Sequence, residues 1–224
     1  MPKDSGYRWV YTGASPTPAK NKSSVTQRQT EPLIYEVQVT LTQIEPSIWR
    51  RFTVPASIHL DQFHEALLAV MGWFGGHLYE FRVRGESYGD PDTLGDPAVA
   101  PDSAMMLAHA VHRRKGTFYY VYDWGDEWWH QIKLWDYRPM APNETVPTLL
   151  DGARACPPED VGGVWGYTEF LEAVQDPTHP EHDEMLNWVG EDWDPEHFDR
   201  ALLQRRLTAA AQRGAWNILL ADNN

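Results

Sequence analysis

Apolar residues along this chain follow two alternating rhythms. From Ile34 to Leu41 every second residue is apolar, with Tyr35, Val37, Val39 and Leu41 set against Glu36, Gln38 and Thr40, the period of a strand that buries one face. Ile48 to Val54 predicts a second strand, with Pro46 in the connection and Pro55 closing it, so the pair forms an antiparallel hairpin. The spacing then becomes helical: Leu60, Phe63, His64, Leu67, Leu68 and Met71 predict an amphipathic helix over 60–71 that ends at Gly72. His64 falls at the edge of that stripe, where a structural histidine is the default. Period two returns with Tyr79, Phe81 and Val83, a third strand; Tyr88 to Pro101 reads as a loop, and Met105 to His112 fits a short helix or an irregular strand.

The strongest β pattern brackets YDWGDEWWH, Tyr122 to His130. Phe118, Tyr120 and Tyr122 alternate on one side of it; Trp128, His130, Ile132 and Leu134 alternate with Trp129, Gln131, Lys133 and Trp135 on the other. The turn between these strands is expected to be held by Asp123, whose carboxylate reaches nearby backbone N–H groups, and by Gly125, which can supply a positive φ. After Pro139 the pattern shifts. Leu149 to Gly166 reads as a long ordered loop, followed by helices over 167–174, 180–189 and 195–212, the last with Asp194 as N-cap. The fold class implied is α+β: an antiparallel sheet packed against helices, with a helical C-terminal section, over 33–224. The segment 1–32, rich in Ser, Thr, Pro and Lys without sustained periodicity, is expected to be a disordered arm.

Charge sharpens this division. In the first 32 residues five Lys and Arg stand against two acids, a balance of +3, so with a chain total of -13 the remainder carries -16. A body this acidic repels the phosphate backbone, and nucleic acid is expected as a partner only through the arm. A single cysteine, Cys156, allows no intrachain disulfide and fits a reducing, cytoplasmic setting; no apolar run approaches a membrane span and the start lacks a secretory leader's apolar stretch.

The ordered blocks YEVQVTL, IWRRFTVP, the MGW closing the first helix, YDWGDEWWH, DGARACPPEDVGG, GY and HPEH together resemble the plasmid pRiA4b ORF-3-like protein family, from about Tyr35 to about Leu207. The family pattern usually carries phenylalanine where this chain has Trp124. The resemblance implies a mixed α+β fold in bacterial and mobile-element contexts, with no established activity. Some relatives sit beside transposases and carry a resolvase-like label. This chain has no opening catalytic strand with a nucleophilic serine, and recombination is not expected of it.

Three constellations carry candidate chemistry. Asp123, Asp126, Glu127 and His130, with Cys156, Glu159, Asp160, His179 and His182, could assemble a site for a divalent metal; carboxylates suit Mg²⁺ or Mn²⁺ and the His and Cys residues suit Zn²⁺, so the mixture selects none. Within it Asp126, His130, His179 and His182 are the candidate ligands. The competing reading places His130 in the core and makes Asp123 and Asp126 braces of the turn. Cys156 served by a histidine would be a nucleophile, a role that needs a thiolate and a hydrogen-bonded base. Trp124, Trp129 and Trp135 beside the acidic loops suggest a surface for a cationic, peptide or small-molecule ligand. The expected function is a non-enzymatic cytosolic binding or interaction module, with a metal-dependent hydrolase or nuclease as the alternative.

Overall fold

Alternation over residues 34–41 yields the strand it predicts, β1 (Leu33–Leu41), antiparallel to β2 (Trp49–Pro55) with Val37 opposite Phe52. The computed structural model describes residues 32–111, 116–142 and 144–216. The expected arm therefore lies outside the described residues except for Pro32, whose carbonyl accepts the Met140 amide at 2.8 Å.

The sheet is completed by β3 (Tyr79–Val83), β4 (Glu86–Gly89), β5 (Ala100–Pro101), β6 (Thr117–Tyr122), β7 (Trp128–Pro139) and β8 (Thr148–Ala153), in the spatial order β5-β4-β3-β6-β7-β1-β2-β8. The two hairpins recognised from alternation join edge to edge, because β7 pairs with β6 on one side and β1 on the other. Only the short β4–β5 pair is parallel, so the sheet is mixed rather than wholly antiparallel.

Helix α1 (Leu60–Met71) covers one face and ends at Gly72 in the left-handed conformation, as its pattern predicts. Its Phe63 meets the rings of Phe52, Phe81 and Phe118 at 6.1, 6.2 and 6.3 Å, joining three strands into one aromatic core. Full burial of such a ring contributes roughly 2–3 kcal/mol. The short helices α2 (Pro91–Leu94) and α3 (Leu107–Ala110) lie between β4 and β6; α4 (Gly163–Gln175), α5 (His182–Val189) and α6 (Arg200–Arg213) follow β8. The opposite face of β1 alternates into the half-exposed Glu36, Gln38 and Thr40.

Three expectations need correction. The loop expected over 149–166 contains β8 and the first turn of α4. Pro147, Asp151 and Gly152 masked the strand, yet it is an edge strand, where such residues are tolerated, and Gly152 is bare because Phe198 lies 2.7 Å from where its Cβ would stand. Glycines masked the start of α4. The last helix begins at Arg200, not Pro195: Asp199 is its N-cap and accepts the Leu202 amide at 2.9 Å, while Asp194 makes only a local turn to the Glu196 amide. The loop expected over 88–101 also holds α2 and β5.

Arg50, 1% exposed, fastens the C-terminal section to the sheet. Its guanidinium donates to the carbonyls of Val70, Trp49, Ala153 and Arg154 at 2.7–2.9 Å, and Phe198 lies beneath it at 4.9 Å. Burial lowers its pKa, but a guanidinium that satisfies four carbonyls remains charged.

Candidate binding site

Three segments meet at one end of the β6–β7 hairpin: the chain after α1 (72–78), the hairpin turn (123–127) and the loop leading into α4 (156–162). The turn is built by Asp123, whose Oδ1 accepts the Gly125 amide at 2.9 Å and lies 3.4 Å from the Asp126 amide. The expected carboxylate brace is present, but the left-handed residues are Asp123 (φ 57) and Glu127 (φ 53) rather than Gly125. Asp123 tolerates that conformation because its own side chain closes the turn.

Hydrogen bonds lock the segments together. Glu159 accepts the Phe74 amide at 2.9 Å, the Gly75 amide at 3.3 Å and the Tyr122 hydroxyl at 2.8 Å. Trp73 Nε1 donates to the Pro157 carbonyl at 2.9 Å, and Asp126 Oδ2 accepts the Gly162 amide at 3.2 Å. His77 stands between two carboxylates, with Nδ1 3.2 Å from Asp123 and Nε2 3.5 Å from Asp160. A neutral imidazole has one N–H, so donation to both carboxylates requires the imidazolium. Tyr122 is displaced upward in pKa, first by burial and then by its bond to Glu159, so at neutral pH it is a donor and not a base.

The sequence-selected residues thus separate into groups. Asp123, Asp126, Glu159 and Asp160 come together, through bonds that hold loops in place. Glu127 is exposed in the turn. Cys156 sits beside Arg50, and burial pushes its thiol up to about 12 despite that cation, so it is not a ready nucleophile. His130 is 0% exposed on the core side of β7, edge-on to Trp73 at 5.3 Å. Burial brings it down to about 4; the backbone of Tyr120 and Trp128 opposes this only partly, and neither ring nitrogen makes a well-formed hydrogen bond. His179, on the α4–α5 connection, accepts the Glu181 amide, and His182, at the start of α5, meets the Ala173 carbonyl at 2.9 Å; both are half-buried. The four candidate ligands Asp126, His130, His179 and His182 therefore do not converge.

The residue that sequence reading missed is His77. Among the described residues, the group of three or more potential ligands whose atoms lie within 4.8 Å of one another is His77, Asp123 and Asp160. One imidazole and two carboxylates can hold a divalent cation, and they suit Zn²⁺ or Mn²⁺ better than an all-oxygen site would. Asp123 also orients His77 as it would a general base, but the far nitrogen faces Asp160 and not a Ser, Thr or Cys.

The tryptophans do not form one pocket. Trp124 is half-exposed beside Leu78 and Val99, Trp129 is half-buried, and Trp135 lies beneath Arg51 and Lys133 at 5.3 and 5.2 Å. Six residues along a strand put Trp129 and Trp135 about 20 Å apart. More exposed aromatics lie closer to the junction: Phe74, on the segment after α1, is 83% exposed and Trp165, in the first turn of α4, 84%.

Residues 33–202 match the family described as plasmid pRiA4b ORF-3-like protein. The chain belongs to that family. Uncharacterized protein y4hQ of Sinorhizobium fredii (strain NBRC 101917 / NGR234) is 44% identical over 158 residues, which is 70% of this chain and 81% of that protein. The crystal structure of a protein of unknown function, MM3350 from Methanosarcina mazei Go1, aligns at a TM-score of 0.70 and 32% identity, covering 77% of this chain and 98% of the other. These relatives bring no established activity. In this pRiA4b ORF-3-like chain, no helix among the described residues is long and apolar enough to cross a membrane.

Proposed function

We propose that the protein is a non-enzymatic interaction module that captures a cationic partner on its acid-and-aromatic side, in the cytoplasm of its host. The observation that carries this reading is the distribution of charge. Residues 155 to 199 hold thirteen Asp and Glu and neither Lys nor Arg, so this fifth of the chain accounts for the whole net charge of -13. Such a field draws cations from solution and speeds their encounter. The carboxylates nearest the hairpin already serve amides, a hydroxyl and His77, which supports a preorganised surface over a reacting centre.

Binding of a fluorescent Lys/Arg-rich peptide, measured by anisotropy, tests the reading. Affinity should fall steeply as salt rises and weaken further in Trp165→Ala, whose net charge is unaltered. Turnover in a panel of esters, phosphodiesters and peptides that disappears in a folded Asp123→Asn variant would overturn it.

A metal-dependent hydrolase is the second reading, and the His77–Asp123–Asp160 group favours it. Purification without chelator followed by elemental analysis, and thermal shifts with Zn²⁺, Mn²⁺ or Mg²⁺, separate the two. Stoichiometric metal that is lost in His77→Ala supports the enzyme; under about one tenth of a metal per chain and no thermal shift counts against it.

A further inference from the structure

The acidic stretch also forms a groove. Between α4 and α5 runs an open groove of about 380 Å³, with Phe170, Met185 and Trp188 along its floor. Phe170 meets Trp188 edge-on at 5.8 Å and Trp193 at 4.9 Å, so the floor is braced from behind. Helix α5 has no fully buried residue: Met185, Leu186 and Val189 are half-buried, Met185 and Val189 against the core, and Trp188 stands further out. Helices in globular proteins generally bury their apolar stripe, and this one leaves Trp188 49% exposed.

The rim of the groove is acidic, formed by Glu169, Glu181 and Glu184 with Asp160 at one end. Some acids elsewhere are paired internally, Glu36 with Arg51, Glu80 with Arg82 and Glu196 with Arg154. Among the described residues Glu169, Glu181 and Glu184 form no ion pair. Acids in the first turn of a helix complement its dipole, which accounts for Glu184. It does not account for Glu169, midway along α4, or for the uncovered Trp188.

We infer that the α4–α5 groove binds a short amphipathic helix of a partner protein, its apolar side chains seated on Phe170, Met185 and Trp188 and its Lys or Arg residues on the glutamate rim. The inference rests on the reading of the protein as a module for cationic partners. Charge complementarity fixes the sign of the occupant, and the apolar floor requires more of it than charge. Two packed helices leave a trough that accepts a third helix, and a methionine in the floor adjusts to the shape of what enters.

The probe is a synthetic 15-residue peptide with Leu at helical spacing and Lys or Arg between, compared with a scrambled peptide of identical composition. Anisotropy on the full chain should give at least ~10-fold tighter binding of the amphipathic peptide. Glu181→Gln/Glu184→Gln, both exposed and unpaired, should weaken it several-fold, while Glu86→Gln on β4 should not. Trp188→Ala should weaken it with little effect on the salt dependence. Equal binding of the two peptides, indifferent to the rim variants but still sensitive to salt, overturns the groove and leaves the broader reading standing. Absence of salt-sensitive binding to either peptide overturns both.

Discussion

Gly163 lies flat against Asp126, so close that a Cβ on the glycine would stand 2.5 Å from the Asp126 carbonyl oxygen. Gly163 also has φ +69, a conformation that side chains resist. Gly163→Ala should therefore cost roughly 2–4 kcal/mol, since neither backbone can yield. Urea unfolding measures this; a loss below about 0.5 kcal/mol would show that the contact is not required.

Acid should destabilise the protein through its core. Burial brings His64 down to about 3 and His130 to about 4. In the unfolded chain both take up a proton near pH 6.5. Between about pH 6.5 and 4 the unfolded state thus binds more protons, and stability falls as pH falls, by on the order of 2 kcal/mol per histidine. His130→Leu, which removes two poorly satisfied nitrogens from the core, should be nearly neutral at pH 7 and flatten this decline. Denaturant midpoints across the range give the comparison, and an unchanged slope in His130→Leu would contradict the assignment.

At the alkaline end the sign is opposite. Tyr79, Tyr120 and Tyr122 all have their pKa raised, mainly by burial. Unfolded tyrosines lose their protons near pH 10, so above that value the unfolded state binds fewer protons and stability drops as pH rises. Absorbance of tyrosinate should appear in two stages, surface tyrosines first and these three, together with the buried Tyr35 and Tyr167, only with unfolding. A single stage near pH 10 in a folded chain would be inconsistent with their burial.

Cys156 should react slowly with a disulfide reagent at pH 8, because a thiol held near 12 supplies little thiolate. Native protein is expected to label at least ~10-fold more slowly than urea-unfolded protein. Labelling that is faster in the native state would restore the nucleophile reading.

Where periodicity is sustained, the sequence was sufficient. Tyr35 to Leu41, Leu60 to Met71 and the alternation around Trp128 each bury one face, and burial is what alternation records. It was insufficient where a local signal had two uses. Asp194-Pro195-Glu196 has the composition of a helix start yet only makes a turn, while Asp199, less conspicuous, caps α6. Gly163 and Gly166 look like helix breakers and instead permit close approach, Gly166 to the Val161 carbonyl. The site was half legible for a similar reason. Asp123, Glu159 and Asp160 stand out by type, but His77 lies 46 and 83 residues from Asp123 and Asp160, and no spacing rule spans such distances. Its signal was its position, directly after Gly75-Gly76 at the entry to β3.

The Ala155 amide donates to the Pro195 carbonyl at 2.9 Å. The acidic stretch therefore leaves the sheet and returns to it at nearly the same point, closed at its base like a purse. Insertions or deletions between the helices inside it alter the loop's closure entropy only slowly with length and leave the strand order untouched. The scaffold and the acidic surface are thus two separable parts of one chain, joined through a narrow base at Ala155 and Pro195.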